Sequence, residues 1–177
     1  MLKLTLLVLL FASPIFAQDS AAVLPSDGCG ANKVEFDVKA DNKQHPAAQP
    51  EPGKALVYVV GDAWNDHQPV HFPVFASIPV TRFGVDGTWV GANGFRSYFF
   101  FSVDPGEHRL CTNVQSKFES QVKAYTAGTS FTAEAGKIYY FRTKTAESYE
   151  IQLVPVDAAD ALALLANASF STFHLKK

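Results

Sequence analysis

The sequence predicts an all-β protein: an antiparallel two-sheet sandwich of about seven strands, with an extended N-terminal arm before it and a short C-terminal helix after it. Three observations lead there. From Gly53 to Pro155, short runs rich in Val, Ile, Tyr and Phe recur; they are too short for helices, and such side chains suit a pleated, half-buried surface. Turn residues punctuate them at Asp86-Gly87, Asp104-Pro105-Gly106 and Ala135-Gly136, where Gly supplies positive φ and Pro fixes φ near its turn value. No helical period interrupts the series before Pro155, which disfavours crossover helices and a parallel sheet. A closed barrel fits the same pattern and is the alternative architecture.

The individual elements follow in chain order. Lys3 precedes an apolar run, Leu4 to Phe11, and then Ser13-Pro14-Ile15-Phe16-Ala17 before Gln18-Asp19. This is the pattern of a signal peptide (1–17), cleaved after Ala17, because the run is far below the ~20 residues that span a bilayer. Cys29 does not directly follow the leader, so lipidation is not expected. Removing 17 of 177 residues leaves 160, one ordinary domain. With 47% apolar and 18% charged residues, a chain of this size buries roughly 70% of its unfolded surface, which excludes disorder throughout.

Residues 18–52 read as an extended, Pro-rich arm, with Pro46, Pro50 and Pro52 favouring polyproline-like backbone. Within it Val34, Phe36 and Val38 share one face of a short strand that docks on the main body. The sandwich occupies 53–156. Leu56 to Val60 is a continuous apolar run, hence a central strand. Phe83 to Gly91 carries Asp-Gly between apolar pairs, a two-residue hairpin. Two further hairpins are expected, Tyr98–Val103 with His108–Val114, and Ser130–Ala133 with Ile138–Arg142. The last strand is Tyr149 to Val154, with Ile151 and Leu153 inward. Residues 157–177 form a helix capped by Asp157 over Ala158–Ala166, then an extended tail with Phe173 and Leu175 in phase.

Export implies an oxidising compartment, either periplasmic or extracellular, and the chain has two cysteines, Cys29 and Cys111. Pairing is the economical reading, worth roughly 4.5 kcal/mol of loop entropy for an 82-residue separation; two buried free thiols are the alternative. Because Leu110 belongs in the core, Cys111 faces the other side of its strand, where the arm can reach it. Fifteen Lys and Arg against seventeen Asp and Glu give −2, or −3 without Lys3, so no field exists to hold nucleic acid or an anionic membrane.

In the order Gly53-Lys54-Ala55-Leu56-Val57-Tyr58-Val59, Val85-Asp86-Gly87-Thr88-Trp89-Val90-Gly91, Ser97-Tyr98-Phe99, Val103-Asp104-Pro105-Gly106-Glu107-His108-Arg109-Leu110 and Glu134-Ala135-Gly136-Lys137-Ile138-Tyr139-Tyr140, the chain resembles the bacterial domain-of-unknown-function family 2846. The resemblance covers about Gly53 to Val156. It implies an exported, envelope-associated β-sandwich, similar in style to carbohydrate-binding-like and transthyretin-like folds, with no catalytic residues to carry over. Many relatives look like lipoproteins; this chain departs from them in lacking the anchoring cysteine.

No Gly-x-Ser-x-Gly, His-Glu-x-x-His, Cys-x-x-Cys or phosphate-binding glycine loop occurs, and no catalytic residue, metal or cofactor is expected. Asp62, Asp66, His67 and His71 offer metal donors, but Pro69 forbids the helix that would align the two histidines. The candidate ligand-binding residues are Trp64, His67, His71, Phe72 and Trp89. They lie on the long Gly61–Pro79 connection and the Asp86–Gly94 turn, with Trp64 and Trp89 as the exposed pair. The expected function is a non-catalytic binding or accessory module for an envelope glycan, peptide or partner protein. The alternatives are a hydrolase or metal-dependent enzyme using the Asp62–His71 loop, and a purely structural accessory domain.

Overall fold

The computed structural model describes residues 29–31, 34–61, 80–115, 126–145 and 151–176. The expected signal peptide, residues 18–28 and the segment carrying Asp62, Trp64, Asp66, His67, His71 and Phe72 lie outside the described residues. Ten strands and one helix follow in order: β1 (Phe36–Asp41), β2 (Ala55–Gly61), β3 (Val80–Val85), β4 (Thr88–Asn93), β5 (Ser97–Val103), β6 (Gly106–Gln115), β7 (Thr126–Ala133), β8 (Ile138–Thr145), β9 (Ile151–Val156), α1 (Ala158–Ala166) and β10 (Ser169–Leu175). They form two sheets, one ordered β1-β10-β5-β2-β8-β9 and the other β4-β3-β6-β7. The sandwich expected from the sequence is present.

Side chains alternating along the strands build the core between the sheets. Val57, Val59, Phe99, Phe141 and Leu153 meet Phe83, Val85 and Leu110 there. β2 is buried on both faces because its even positions, Leu56, Tyr58 and Val60, form a second cluster beneath Leu164 and Leu165 of α1 and Ala48 of the arm. That is why this strand reads as an unbroken apolar run. The Pro-rich arm is anchored at this face, where the Ala48 N–H donates to the Tyr58 hydroxyl at 2.9 Å. α1 starts as expected, with the Asp157 carboxylate accepting from the Asp160 N–H at 2.9 Å.

Three expectations need correction. The strands are not all antiparallel, since β2 pairs parallel with β8 and β10 parallel with β5. Secondly, of the three turns expected to close hairpins only Asp86-Gly87 does so, with φ of 51° and 82° at its two central residues. The Asp104-Pro105-Gly106 and Ala135-Gly136 turns instead carry the chain from one sheet to the other, because β5 and β8 lie in the six-stranded sheet while β6 and β7 lie in the four-stranded one. Thirdly, the arm strand docks on the tail. β1 pairs antiparallel with β10 from Phe36↔Leu175 to Asp41↔Phe170, so the extended tail is the strand that joins the arm to the sheet. Phe173 turns inward against Phe99, ring centroids 4.9 Å apart, whereas Leu175 stays exposed.

Candidate functional site

The outer face of the four-stranded sheet shows what the arm does. Trp89, Gly84, Cys111 and Gly128 lie in one row across β4, β3, β6 and β7. The disulfide Cys29–Cys111 fixes the arm on this row, Cα to Cα 5.5 Å, and both cysteines are buried. A Cβ at Gly84 would sit 1.9 Å from the Cys29 carbonyl oxygen, and one at Gly30 would sit 2.6 Å from the Trp89 ring. Glycine is therefore required on both sides of the contact. The Trp89 Nε1–H donates to the Ala31 carbonyl at 2.9 Å, and the Arg82 guanidinium lies 4.7 Å over the ring while donating to the Val34 carbonyl.

Trp89 is half-buried and fully engaged by the chain's own arm, so it is not one of an exposed pair. Nor does it lie where the long connection leaves the sandwich. Gly61 and Val80, which bracket that connection, sit at the Asn93 end of the sheets: a Cβ on Gly61 would meet the Gly94 carbonyl at 2.7 Å, and Thr81 pairs with Asn93. Trp89 is four residues back along β4, roughly 13 Å away. Replacing Trp89 by Ala is expected to lower stability by about 2 kcal/mol, from the lost hydrogen bond, cation–π contact and packing. Denaturant unfolding checks this, and an unchanged midpoint would contradict it.

At the Asn93 end the chain builds a rigid, exposed tip. The Gly94 N–H donates to Ser97 Oγ at 2.9 Å, Ser97 Oγ lies 2.9 Å from the Gly94 carbonyl, and Ser171 Oγ donates to Ser97 Oγ at 2.7 Å. Asn93, fully buried, donates through Nδ2 to the Ser97 carbonyl at 3.1 Å. The Arg96 carbonyl accepts from the Ser169 N–H at 2.9 Å. This network holds Arg96 at φ 47°, a left-handed conformation uncommon for a residue other than glycine, asparagine or aspartate and a form of strain that concentrates at functional sites. The tip turns Phe95, 38% exposed, outward with the Arg96 guanidinium 5.4 Å from its ring centroid. Sequence reasoning missed both residues, although the argument applied to Trp89, an aromatic beside a glycine at a turn, fits Phe95 equally.

At the opposite end Asp86 and His108 meet. His108 Nδ1 lies 2.7 Å from Asp86 Oδ2, and the Arg109 N–H donates to Asp86 Oδ1 at 2.8 Å. Elsewhere, burial pushes the Tyr98 and Tyr140 phenols up, with a further push from Tyr58; both belong to the aromatic packing on the outer face of the six-stranded sheet.

Fold and sites together define a disulfide-stapled two-sheet sandwich with an aromatic and cationic tip. The model of the DUF2846 family, described as a protein of unknown function, matches residues 51–155, and the chain belongs to that family. No curated protein matches. Among solved structures, an NMR structure of a protein from Eubacterium rectale is similar at 14% identity and a TM-score of 0.38, over 63% of this chain and 97% of that one.

Proposed function

We propose that this protein is an exported, non-catalytic module of the cell envelope that recognises a glycan, a peptide or a partner protein. The observation that carries this reading is the Phe95–Arg96 tip: a solvent-facing ring and guanidinium on a strained turn locked from below by Ser97 and Ser171. A preorganised turn loses little entropy on binding. A flat ring stacks on apolar surfaces, so the exposed Phe95 ring suits a ligand that presents one. The tip also stands beside Gly61, whose Cβ would meet the Gly94 carbonyl at 2.7 Å.

The test is an array of bacterial envelope glycans and peptides screened with the wild type and a Phe95→Ala, Arg96→Asn variant. Asparagine tolerates the left-handed backbone, and surface changes of this kind usually cost under about 0.5 kcal/mol, so the variant should unfold at nearly the wild-type midpoint. The expected result is a ligand retained by the wild type whose affinity falls at least about tenfold in the variant. A ligand bound equally by both proteins would overturn the assignment of the tip.

A further inference from the structure

We propose that His108 is a proton-operated clasp: as the imidazolium it donates one N–H to the Asp86 carboxylate and the other to the Asp104 carbonyl, tying the β3–β4 turn to the β5–β6 turn, and loss of the proton breaks one of the two ties. The inference is independent of which ligand the Phe95–Arg96 tip binds.

Geometry carries the argument. His108 Nδ1 lies 2.7 Å from Asp86 Oδ2, and Nε2 lies 2.7 Å from the Asp104 carbonyl oxygen. Both neighbours are acceptors. A neutral imidazole has a single N–H, so one ring nitrogen would present a lone pair to an oxygen at hydrogen-bond distance; only the charged ring satisfies both contacts. His108 thus touches both the hairpin turn that ends β3 and the arch that crosses between the sheets, beside the backbone tie from the Asp86 N–H to the Arg109 carbonyl at 3.1 Å.

The surrounding groups are few and can be named. From the β3–β4 turn comes the Asp86 carboxylate; from the β5–β6 turn come the Asp104 carbonyl and, through its charge, the Asp104 carboxylate. Lys54, before β2, approaches Asp104 at 3.9 Å and offsets part of that charge. β7 presents the Phe131 ring, 5.6 Å from the imidazole, with Tyr139 of β8 behind it. Next to His108 on β6, Arg109 turns its guanidinium over Gly128 on the outer face. Desolvation is the largest single influence on His108 and favours the neutral ring, but the hydrogen bonds and charges of Asp86 and Asp104 outweigh it and hold the imidazole above 6.5. Asp86 is the mirror case. Desolvation pushes its carboxyl up, while the Arg109 N–H and His108 together bring it below 3.8.

The sign follows directly. A raised His108 contributes stability that is complete below pH 6.5 and lost as pH rises through the raised value; a lowered Asp86 contributes stability present above pH 3.8 and lost as pH falls through the lowered value. The clasp is closed between those limits and opens on the alkaline side by deprotonation of the ring.

The experiment is an NMR titration of the histidine ring carbons in the full mature chain, with His108 assigned from a His108→Gln variant, together with amide exchange at Arg109 and Asp86. In the wild type His108 should titrate above 6.5, and Asp86→Asn should bring its midpoint down. Asparagine is suited to the φ of 51° at this position, so the turn survives the loss of charge. Exchange protection of the Arg109 amide, corrected for intrinsic pH dependence, should fall across the wild-type midpoint and show no such step in His108→Gln. A midpoint at or below 6.5, a midpoint insensitive to Asp86→Asn, or protection that ignores the His108 titration would each overturn the clasp.

Discussion

Replacing Cys111 by alanine is expected to lower the unfolding free energy by about 2–5 kcal/mol, measured by denaturant titration of the oxidised wild type against the variant. The bond closes a loop of 82 residues, and its removal restores that much freedom to the unfolded chain. In the folded state the segment 29–31 would keep the Trp89 to Ala31 hydrogen bond, its packing against that ring and the close approach of Cys29 to Gly84, with the Arg82 to Val34 contact just beyond. Each such hydrogen bond contributes about 1 kcal/mol net. β1 should stay in place, because its six-residue register with β10 does not depend on the cysteines. Cys29→Ala should cost the same, and the double variant no more than either, since one bond cannot be lost twice. Additive losses, or a loss under about 1 kcal/mol, would contradict a stabilising staple.

Strand positions were largely legible in the sequence, whereas strand partners were not. The run Leu56 to Val60 and the alternation of Ile151, Gln152 and Leu153 report burial, which is a local property of each strand. Asp86-Gly87 specified its hairpin because positive φ at both central residues is what a two-residue turn with the twist of the flanking strands demands. Pro105-Gly106 and Ala135-Gly136 announce a reversal of direction equally well, but a reversal within one sheet and an arch between two sheets use the same residue types. What decides between them is the distant partner, β3 for β6 and β2 for β8. The bulge between Phe83 and Gly84, where Gly91 pairs with Phe83 but Trp89 with Gly84, leaves no mark in composition.

The candidate site was legible in part for a similar reason. The Cys29–Cys111 pairing and its position on the face opposite Leu110 followed from counting cysteines and alternating side chains along β6. Trp89 was chosen as exposed because it stands beside a turn, but exposure depends on whether another segment covers the position. The Cys29-Gly30-Ala31 segment covers it, in space left by Gly84 and Gly30. Phe95 carried the same local signal as Trp89, but what fixes its prominence is Ser97 meeting Ser171 across 74 residues of sequence. The meeting of Asp86 and His108 rests on the β3–β6 register, which brings Val85 opposite Leu110. Neither partner alone has an unusual sequence context.

Phe99→Ala is expected to cost about 3–5 kcal/mol, the range for removing a large ring from a packed core. Phe99 is 2% exposed and stands at the meeting point of both sheets and the C-terminal strand. Its ring lies 5.6 Å from Phe83 of the opposite sheet, 5.8 Å from Phe101 and 4.9 Å from Phe173 of β10, with edge-on geometry toward Phe83 and Phe173. Gly91 makes the floor of this cluster, since a Cβ there would strike Phe173 at 2.4 Å and Phe99 at 2.6 Å, so the backbone of β4 cannot move inward to fill the gap. The cavity should therefore persist and carry its full energetic cost. The loss should also spread to β10, which pairs with β5 only at Ser169↔Ser97 and Phe170↔Tyr98 and depends beyond that point on Phe173 reaching the core. Amide exchange would show it as reduced protection along β10 and its partner β1, exceeding the change in β6. A global loss below about 1.5 kcal/mol, or protection in β1 and β10 that changes no more than in β6, would show that Phe99 does not anchor the C-terminal strand.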